Sequence, residues 1–335
     1  MKKILFRTFY LIVFILFITI GFCSFLLFYP KQLPDNYQLL VKNSQGWNEV
    51  ANTLQSDKAI NHKLSVKAAV RIYAYFNPNP TIQAGFYRLS GKYSAWQIVQ
   101  HLSQATPDKN RIRIAEGRTF AQIRNSFPAD LKRNTSNLSE KEILSQIDPT
   151  SNATNLEGLL FPDTYIESSN LDEIEIYRIA YKKMQKTLNK VWENRDTGLP
   201  YQNPYELLIM ASIIEKETSL PEDRNKVSAV FVNRLKINMR LQTDPTVIYG
   251  MGDKYQGKIH KEDLQRDTPY NTYTRHGLPP TPICAPSQAS LEAAAHPADV
   301  TYIYFVAKQD GSKESYFSNT LQEHNEAVQR YILKK

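Results

Sequence analysis

The pattern of hydrophobic and polar residues along the chain shows one long apolar run near the N-terminus, Phe9–Tyr29. As a helix rising about 1.5 Å per residue, this run could cross a hydrocarbon core about 30 Å thick. Lys2, Lys3 and Arg7 precede it without an acidic residue, so the positive-inside rule predicts a cytoplasmic N-terminus and export of the rest. A cleaved signal peptide is the alternative, but residues 28–31 (FYPK) make a poor cleavage site.

A different pattern follows the run, in which a short strand, a glycine and a short amphipathic helix recur three times. The strands are predicted at Tyr37–Lys42, Ala84–Leu89 and Arg111–Ala115, and the glycines are Gly46, Gly91 and Gly117. Small units of this kind resemble the LysM type of glycan-binding module. A generic α+β spacer is the alternative interpretation.

Longer helical periods dominate the C-terminal half of the chain. Residues 128–155 are polar and indicate a linker with one short helix at Glu140–Ile147. Beyond them the pattern predicts helices at Leu171–Arg195, Tyr205–Thr218, Val227–Ile237 and Ser287–His296, and strands at Tyr302–Lys308 and Ser315–Ser318. The predicted fold class is therefore α+β: one N-terminal transmembrane helix, a small LysM-like α/β module, and a mixed α+β domain.

Composition narrows the possible functions. The 335 residues have a net charge of +8, mild and spread out, which gives no support to nucleic-acid binding. Two cysteines are too few for a disulfide scaffold. The six histidines are scattered and neither an HExxH nor a CxxC motif occurs, so the sequence does not indicate a zinc site. A mean hydropathy of −0.45 excludes a polytopic membrane protein.

The predicted helix Tyr205–Thr218 carries the clearest candidate for acid catalysis. On a helical wheel, Glu217 falls within the apolar face, whereas Glu215 and Ser212 fall off it. A carboxyl group against apolar neighbours has a raised pKa, which suits a general acid near neutral pH.

Two alternatives for the chemistry remain open at this point. A glycosidase normally uses a second carboxylate, for which Asp163, Asp244 and Glu157 are candidates, but none lies on a helix that obviously faces Glu217. Ser212 and Lys216, four residues apart, could instead suggest a Ser-Lys hydrolase, although the KTG and SDN motifs of that class are missing.

Several long motifs resemble those of the YceG-like endolytic murein transglycosylases, often called MltG. They are AGFYRL (Ala84–Leu89), AEGRTF (Ala115–Phe120), EGLLFPDTY (Glu157–Tyr165), ASIIEKET (Ala211–Thr218), VFVNRL (Val230–Leu235), MRLQTDPTVIYG (Met239–Gly250), TPYNTYTRHGLPPTPI (Thr268–Ile283), AAAHPADVTYIYFVA (Ala293–Ala307) and FSNTLQEHN (Phe317–Asn325). The resemblance covers nearly everything after the apolar run and is weakest at 128–155.

The resemblance implies cleavage of the MurNAc-GlcNAc β-1,4 bond within nascent peptidoglycan strands, which gives 1,6-anhydroMurNAc ends and terminates strand growth. It makes Glu217, the second Glu of EKE, the catalytic acid, with no cofactor and no metal. Candidate substrate-binding residues in the motifs are Asp163, Asn233, Arg234, Gln242, Asp244, Tyr249, Tyr270, Asn271 and Tyr273.

The resemblance also implies an organisation and a cellular setting. We expect a cytoplasmic tail at 1–8, a transmembrane helix at 9–29, a LysM-like module with its stalk at 30–108, a connecting segment at 109–155 and a catalytic domain at 156–335. The catalytic domain would lie outside the cytoplasmic (inner) membrane, on the periplasmic side, with a penicillin-binding protein as its partner. A non-catalytic glycan-binding scaffold and a hydrolytic muramidase are the competing functions.

Overall fold

The structure is a computed structural model, and it describes residues 2–35, 37–42, 45–78, 80–107, 110–127, 135, 137–167 and 173–333. The chain divides into two compact units, Met1–Arg111 with Ile166–Leu171 and Ile112–Tyr165 with Asp172–Lys335. Both helices and strands occur in each unit, so the predicted mixed α+β class is confirmed, as is a long apolar helix at the N-terminus.

The first unit joins the apolar helix to a small α/β layer. Its elements are α1 (Lys2–Phe28), β1 (Lys31–Gln32), β2 (Tyr37–Val41), α2 (Trp47–Ser56), α3 (Lys63–Phe76), β3 (Gly85–Leu89), β4 (Lys92–Tyr93) and α4 (Ala95–Gln104). Within the described part of the chain, Phe9–Phe28 is the one stretch long and apolar enough to cross a membrane. The end of α1 packs on this unit, where the Phe28 and Trp96 rings lie 5.8 Å apart.

Strands β2 and β3 form an antiparallel pair that runs from Tyr37 opposite Leu89 to Val41 opposite Gly85. Alternate residues of β2, namely Tyr37, Leu39 and Val41, are buried against α2 and α3, as a strand with one covered face requires. The predicted strand–glycine–helix units lie where the pattern placed them. The sequence prediction did not include α3, which closes the other side of this core.

The second unit is mainly helical. Its elements are most of β5 (Asn110–Ile114), α5 (Phe120–Ser126), α6 (Glu140–Ile147), most of β6 (Asp163–Glu167), α7 (Glu173–Glu193), α8 (Pro204–Glu217), α9 (Pro221–Lys236), α10 (Asp244–Met251), a 3₁₀ turn (Gly252–Lys254), α11 (Lys261–Gln265), α12 (Gln288–Ala295), β7 (Tyr304–Ala307), β8 (Ser315–Ser318) and α13 (Leu321–Tyr331). Strand β5 pairs with β6, and β7 pairs antiparallel with β8.

Helix α8 lies at the centre of this unit and packs against α7, α9, α10 and α12. All eight residues from Leu207 to Ile214 are buried. The prediction of a single apolar face was therefore wrong: Ser212, placed off that face by the wheel, is 0% exposed. A helix surrounded by other elements is apolar on every side, and a wheel cannot then tell inside from outside.

Candidate active site

Local sequence signals place Glu217 at the end of a rigid helix. Asn203 caps α8 by accepting a hydrogen bond from the Glu206 amide at 3.1 Å, and Pro204 fits the first turn, where no amide donor is needed. The helix ends at Glu217 because Thr218 is extended and the next helix begins at Pro221. Glu217 thus projects from the last turn of a buried helix, half-buried itself.

Within the part of the chain that the structure describes, the Glu217 carboxyl group has one direct hydrogen-bond partner. The Thr243 hydroxyl donates to its Oε1. Thr243 is buried, and its backbone amide donates to Thr272 Oγ1 at 3.0 Å. This hydrogen bond fixes the backbone that carries the Thr243 hydroxyl.

The pKa of Glu217 is raised from 4.5 to about 7, and burial is the largest cause. The charge of Asp244 also raises this pKa, whereas the Thr243 hydrogen bond and the charge of Arg234 lower it, and the value of about 7 is the net result. Near neutral pH both protonation states of Glu217 are therefore populated. A single carboxyl group in this state can give a proton in one step and take one in the next.

Arg234 lies on α9 beside this carboxyl group and is itself buried. Its Nε donates to the Ile303 carbonyl at 2.7 Å and its Nη1 to the Leu241 carbonyl at 2.6 Å. The guanidinium also lies 5.4 Å from the centre of the Tyr304 ring. Arg234 therefore ties together two backbone segments that border Glu217, in addition to its effect on the pKa of that residue.

Glu217 opens into a cleft of about 560 Å³. Loop and helix residues form one side, and β7, β8 and α13 form the other. Lining residues are Glu217, Arg234, Gln242, Asp244, Tyr273, Tyr304, Phe305, Val306, Ala307, Ser315, Leu321, His324 and Asn325. The mixture of polar groups with aromatic rings suits a sugar chain, which needs both hydrogen bonds and flat apolar faces.

Two of the lining residues have unusual settings. Gln242 is exposed yet has φ 49°, a left-handed conformation that non-glycine residues seldom adopt. Asp244, the next but one, accepts a hydrogen bond from the Tyr273 hydroxyl at 2.6 Å. Burial and Asp244 together raise the pKa of Tyr273. The left-handed backbone at Gln242 is strained, and strain of this kind occurs at functional sites.

The structure thus brings Arg234, Gln242, Asp244 and Tyr273 together with Glu217, and it places the other sequence candidates elsewhere. Asn233 donates to the Val300 and Tyr302 carbonyls at 2.8 and 3.0 Å and so holds the chain that enters β7. Asn271 is buried, and its side-chain amide donates to three carbonyls at the end of α11.

Asp163, Tyr249 and Tyr270 also lie apart from the cleft lining. Asp163 forms an ion pair with Lys183. Tyr249 and Tyr270 pack edge to face at 4.7 Å, and the Tyr249 hydroxyl donates to Glu157 at 3.0 Å.

Glu157 is a second buried acid, 5% exposed, which does not line the Glu217 cleft. Its carboxyl group accepts from the Phe120 amide at 3.0 Å, at the first turn of α5. Burial raises the pKa of Glu157 to about 7, although the bonds from Tyr249 and Phe120 lower it. Gly158 follows at φ +71°, where a side-chain Cβ would come within 2.4 Å of Pro282. Only glycine fits at this position directly after Glu157.

Several residues that contact Glu217 or line its cleft were absent from the sequence candidates. Thr243 lies inside a motif already quoted, LQTDPT, but nothing in the pattern distinguished its hydroxyl from that of any loop threonine. Tyr304 and His324, whose rings stack at 5.2 Å, come from β7 and α13. Their motifs were recognised, but the pairing of distant segments was not predictable from spacing.

No group of three or more His, Cys, Asp or Glu side chains that could hold a metal ion occurs in the part of the chain that the structure describes.

Comparison with known proteins gives one consistent family. The model of the YceG-like family matches residues 39–330. An endolytic murein transglycosylase of Bacillus subtilis (strain 168) is 35% identical over 302 residues, covering 82% of this chain and 80% of that protein. One from Streptococcus pneumoniae (serotype 2, strain D39 / NCTC 7466) is 27% identical, covering 86% of this chain and 57% of that protein.

A solved structure agrees with these relatives. The crystal structure of a YceG-like protein from Listeria monocytogenes superposes with a TM-score of 0.52 at 29% sequence identity. The match covers 87% of this chain and 98% of that one.

Proposed function

The chain belongs to the YceG-like family, and from that premise we propose that it is an endolytic murein transglycosylase. In this proposal it cleaves the MurNAc-GlcNAc β-1,4 bond within a glycan strand and leaves a 1,6-anhydroMurNAc end. The observation that carries the proposal is Glu217, a helix-end acid with a pKa of about 7, open to a cleft of about 560 Å³.

The proposed reaction moves one proton through Glu217. The protonated carboxyl group donates to the glycosidic oxygen, and the bond between that oxygen and C1 of MurNAc breaks. The C6 hydroxyl of the same MurNAc attacks C1, which forms the 1,6-anhydro ring, and Glu217 takes the hydroxyl proton. No water is consumed, and the acid returns to its starting state.

An internal nucleophile removes the need for a second carboxylate. The C6 hydroxyl belongs to the sugar that reacts, so its effective concentration is very high. Asp244 is the other acid that lines the cleft, and its Oδ1 accepts a hydrogen bond from the Tyr273 hydroxyl. We therefore assign Asp244 and Tyr273, together with Gln242, to substrate binding, and Arg234 to support of Glu217. Tyr304 and His324 would offer ring faces to a sugar.

We further propose that the α1 helix anchors the protein in the cytoplasmic membrane, with the proposed catalytic region 156–335 outside. Such an anchor would keep the cleft near newly made strands, beside a peptidoglycan synthase of the penicillin-binding type. The anchor is supported by the length and apolarity of Phe9–Phe28.

The proposed LysM-like module would hold a strand through the first unit. Support comes from a groove of about 840 Å³ between α2 and α3, lined in part by Trp47, Lys67 and Arg71. Trp47 is only partly buried, and its indole nitrogen donates to the Pro80 carbonyl at 2.9 Å, which fixes its ring.

The experiment that separates an enzyme from a glycan-binding scaffold uses the full chain in detergent and insoluble peptidoglycan. Wild type and Glu217→Gln are compared for binding in a pull-down and for release of soluble fragments. We expect equal binding but no release by Glu217→Gln. Release at the wild-type rate by Glu217→Gln would overturn the proposed site, and a wild type that binds without releasing fragments would favour the scaffold.

A further inference from the structure

Glu215, two residues before Glu217, makes a separate set of contacts from the same last turn of α8. Its Oε2 accepts three hydrogen bonds: from the Ser287 amide at 3.0 Å, the Ser287 hydroxyl at 2.6 Å and the Ser290 hydroxyl at 2.7 Å. The helical wheel places Glu215 off the apolar face, and its partners are polar groups at the start of another helix. The side chain is partly buried against the start of α12.

These contacts join the ends of two helices with complementary electrostatics. Ser287 is the N-cap of α12, where free amide groups carry partial positive charge. Glu215 lies at the C-terminal end of α8, where the partial charge is negative and a carboxylate alone is unfavourable. The start of α12 therefore compensates the Glu215 charge, and the charge-assisted hydrogen bonds hold the two ends together.

The segment just before α12 is bound to the same part of α8. The Ile283 amide donates to Ser212 Oγ at 3.0 Å, and the Cys284 thiol donates to the Ser212 carbonyl at 3.3 Å. Residues 283–290 thus hold the last two turns of α8 from one side. Glu217 itself is contacted by Thr243, which belongs to a different segment of the chain. The helix stops at Glu217, so no later turn restrains it.

We propose that Glu215 is a positioning residue: by binding the N-terminus of α12 it fixes the last turn of α8 and thereby the place of the Glu217 carboxyl group. The proposal rests on the proposed function for its kinetic consequence. Glu215 does not line the cleft, so it acts through the helix and not on the substrate.

The kinetic test uses the full chain in detergent and measures release of fragments from peptidoglycan. Because misplacing a catalytic group by about 1 Å can cost on the order of 10²-fold, Glu215→Ala should lower kcat by about 10- to 100-fold with KM within about twofold. Ser290→Ala should lower kcat less. The double variant should be no slower than Glu215→Ala alone, since both changes break one shared contact.

A matched control comes from the other end of the same helix. Glu206 accepts a hydrogen bond from the Gln202 amide at 2.6 Å in the first turn of α8, far along the helix from Glu217. Glu206→Ala should leave kcat unchanged. Glu215→Gln should recover part of the lost rate, because its amide oxygen can still accept from the Ser287 amide.

A second readout does not depend on the substrate. Hydrogen exchange should speed up at residues 213–218 and 286–290 in Glu215→Ala and not in Glu206→Ala. Local speeding together with a loss in kcat supports the proposal. An unchanged kcat, or an exchange pattern unchanged at 213–218, would overturn it. If wild type releases no fragments, the proposed function fails, and the exchange pattern still decides whether Glu215 holds the helix end.

Discussion

Glu217 has to be protonated to start the proposed reaction, so its pKa sets the pH range of activity. With a pKa of about 7, the protonated fraction falls as pH rises through neutrality. The logarithm of kcat/KM should therefore decline above about pH 7. Thr243 stabilises the ionised form, so Thr243→Val should raise the pKa of Glu217 and move this decline to higher pH. A pH profile of both proteins checks this; a decline at the same or a lower pH in Thr243→Val would contradict it.

Glu157 makes a prediction about stability. Its folded pKa of about 7 lies above its ordinary value of 4.5, so the folded protein binds the extra proton between these values. The free energy of unfolding therefore falls as pH rises through this range. At 1.36 kcal/mol per pKa unit the loss is up to about 3 kcal/mol. The Gln side chain of Glu157→Gln is neutral at every pH. The free energy of unfolding of this variant, relative to that of wild type, should therefore rise by up to this amount between pH 5 and pH 8.

Denaturant unfolding across this pH range measures the effect. Asp267→Asn is the control, because Arg275 and Thr274 lower the pKa of Asp267 to about 2, well outside the range. This variant should keep the wild-type slope of stability against pH. A Glu157→Gln protein that follows wild type in parallel would show that Glu157 does not take up its proton on folding.

At the residue scale the sequence supplied the acid but not its surroundings. Glu217 was selected from its motif and from the wheel, whereas Thr243, which bonds to it, lies 26 residues further on. The contacts of Glu215 could not be predicted for a related reason. A wheel considers one helix, and the partners of Glu215 lie at the start of another helix, about 70 residues away in the chain.

At the scale of elements, α8 behaves as a central helix whose polar groups are satisfied by its neighbours. Ser212 Oγ donates to the Ile209 carbonyl at 2.7 Å and accepts from the Ile283 amide at 3.0 Å. Ser212→Ala would leave that buried amide unpaired, which costs about 1–3 kcal/mol. We expect a loss of this size in denaturant unfolding, with glycan cleavage retained.

The same variant tests the Ser-Lys alternative. Lys216 donates to the Gly117 carbonyl at 3.3 Å, and the Ser212 hydroxyl donates to the Ile209 carbonyl. Each group thus has a partner other than the serine–lysine pair that a Ser-Lys hydrolase requires. A Ser212→Ala protein without cleavage activity but with wild-type stability would revive the serine as a nucleophile.

Elements with strong local signals were predictable, and those defined by packing were not. The predicted short helix Glu140–Ile147 matches α6 at both ends, since Ser139 and Glu142 form a capping box. Helices α10 and α13 were not predicted. The first lies among turn residues, and the second is polar on most of its surface, with Ala327 its one buried residue. Both helices contribute residues to the cleft, so the cleft could not be predicted from the sequence.

At the scale of the whole molecule, the apolar helix makes a prediction about topology. Phe9–Phe28 has no charge and is followed by a poor cleavage site, so it should remain in the mature protein. A reporter enzyme that works only outside the cytoplasm should be active when fused to the C-terminus, and the fusion should stay with membranes. A mature chain that starts near residue 30 in the soluble fraction would contradict the anchor.

The account as a whole depends on the chemistry that Glu217 performs. Transglycosylation closes the 1,6-anhydro ring without water, whereas a muramidase adds water and leaves a reducing end. The most direct measurement is therefore mass spectrometry of the fragments that the full chain releases from purified peptidoglycan, with Glu217→Gln alongside. We predict MurNAc ends lighter by one water, absent from the Glu217→Gln reaction. Fragments with reducing-end MurNAc, or anhydro ends made equally well by Glu217→Gln, would contradict the account.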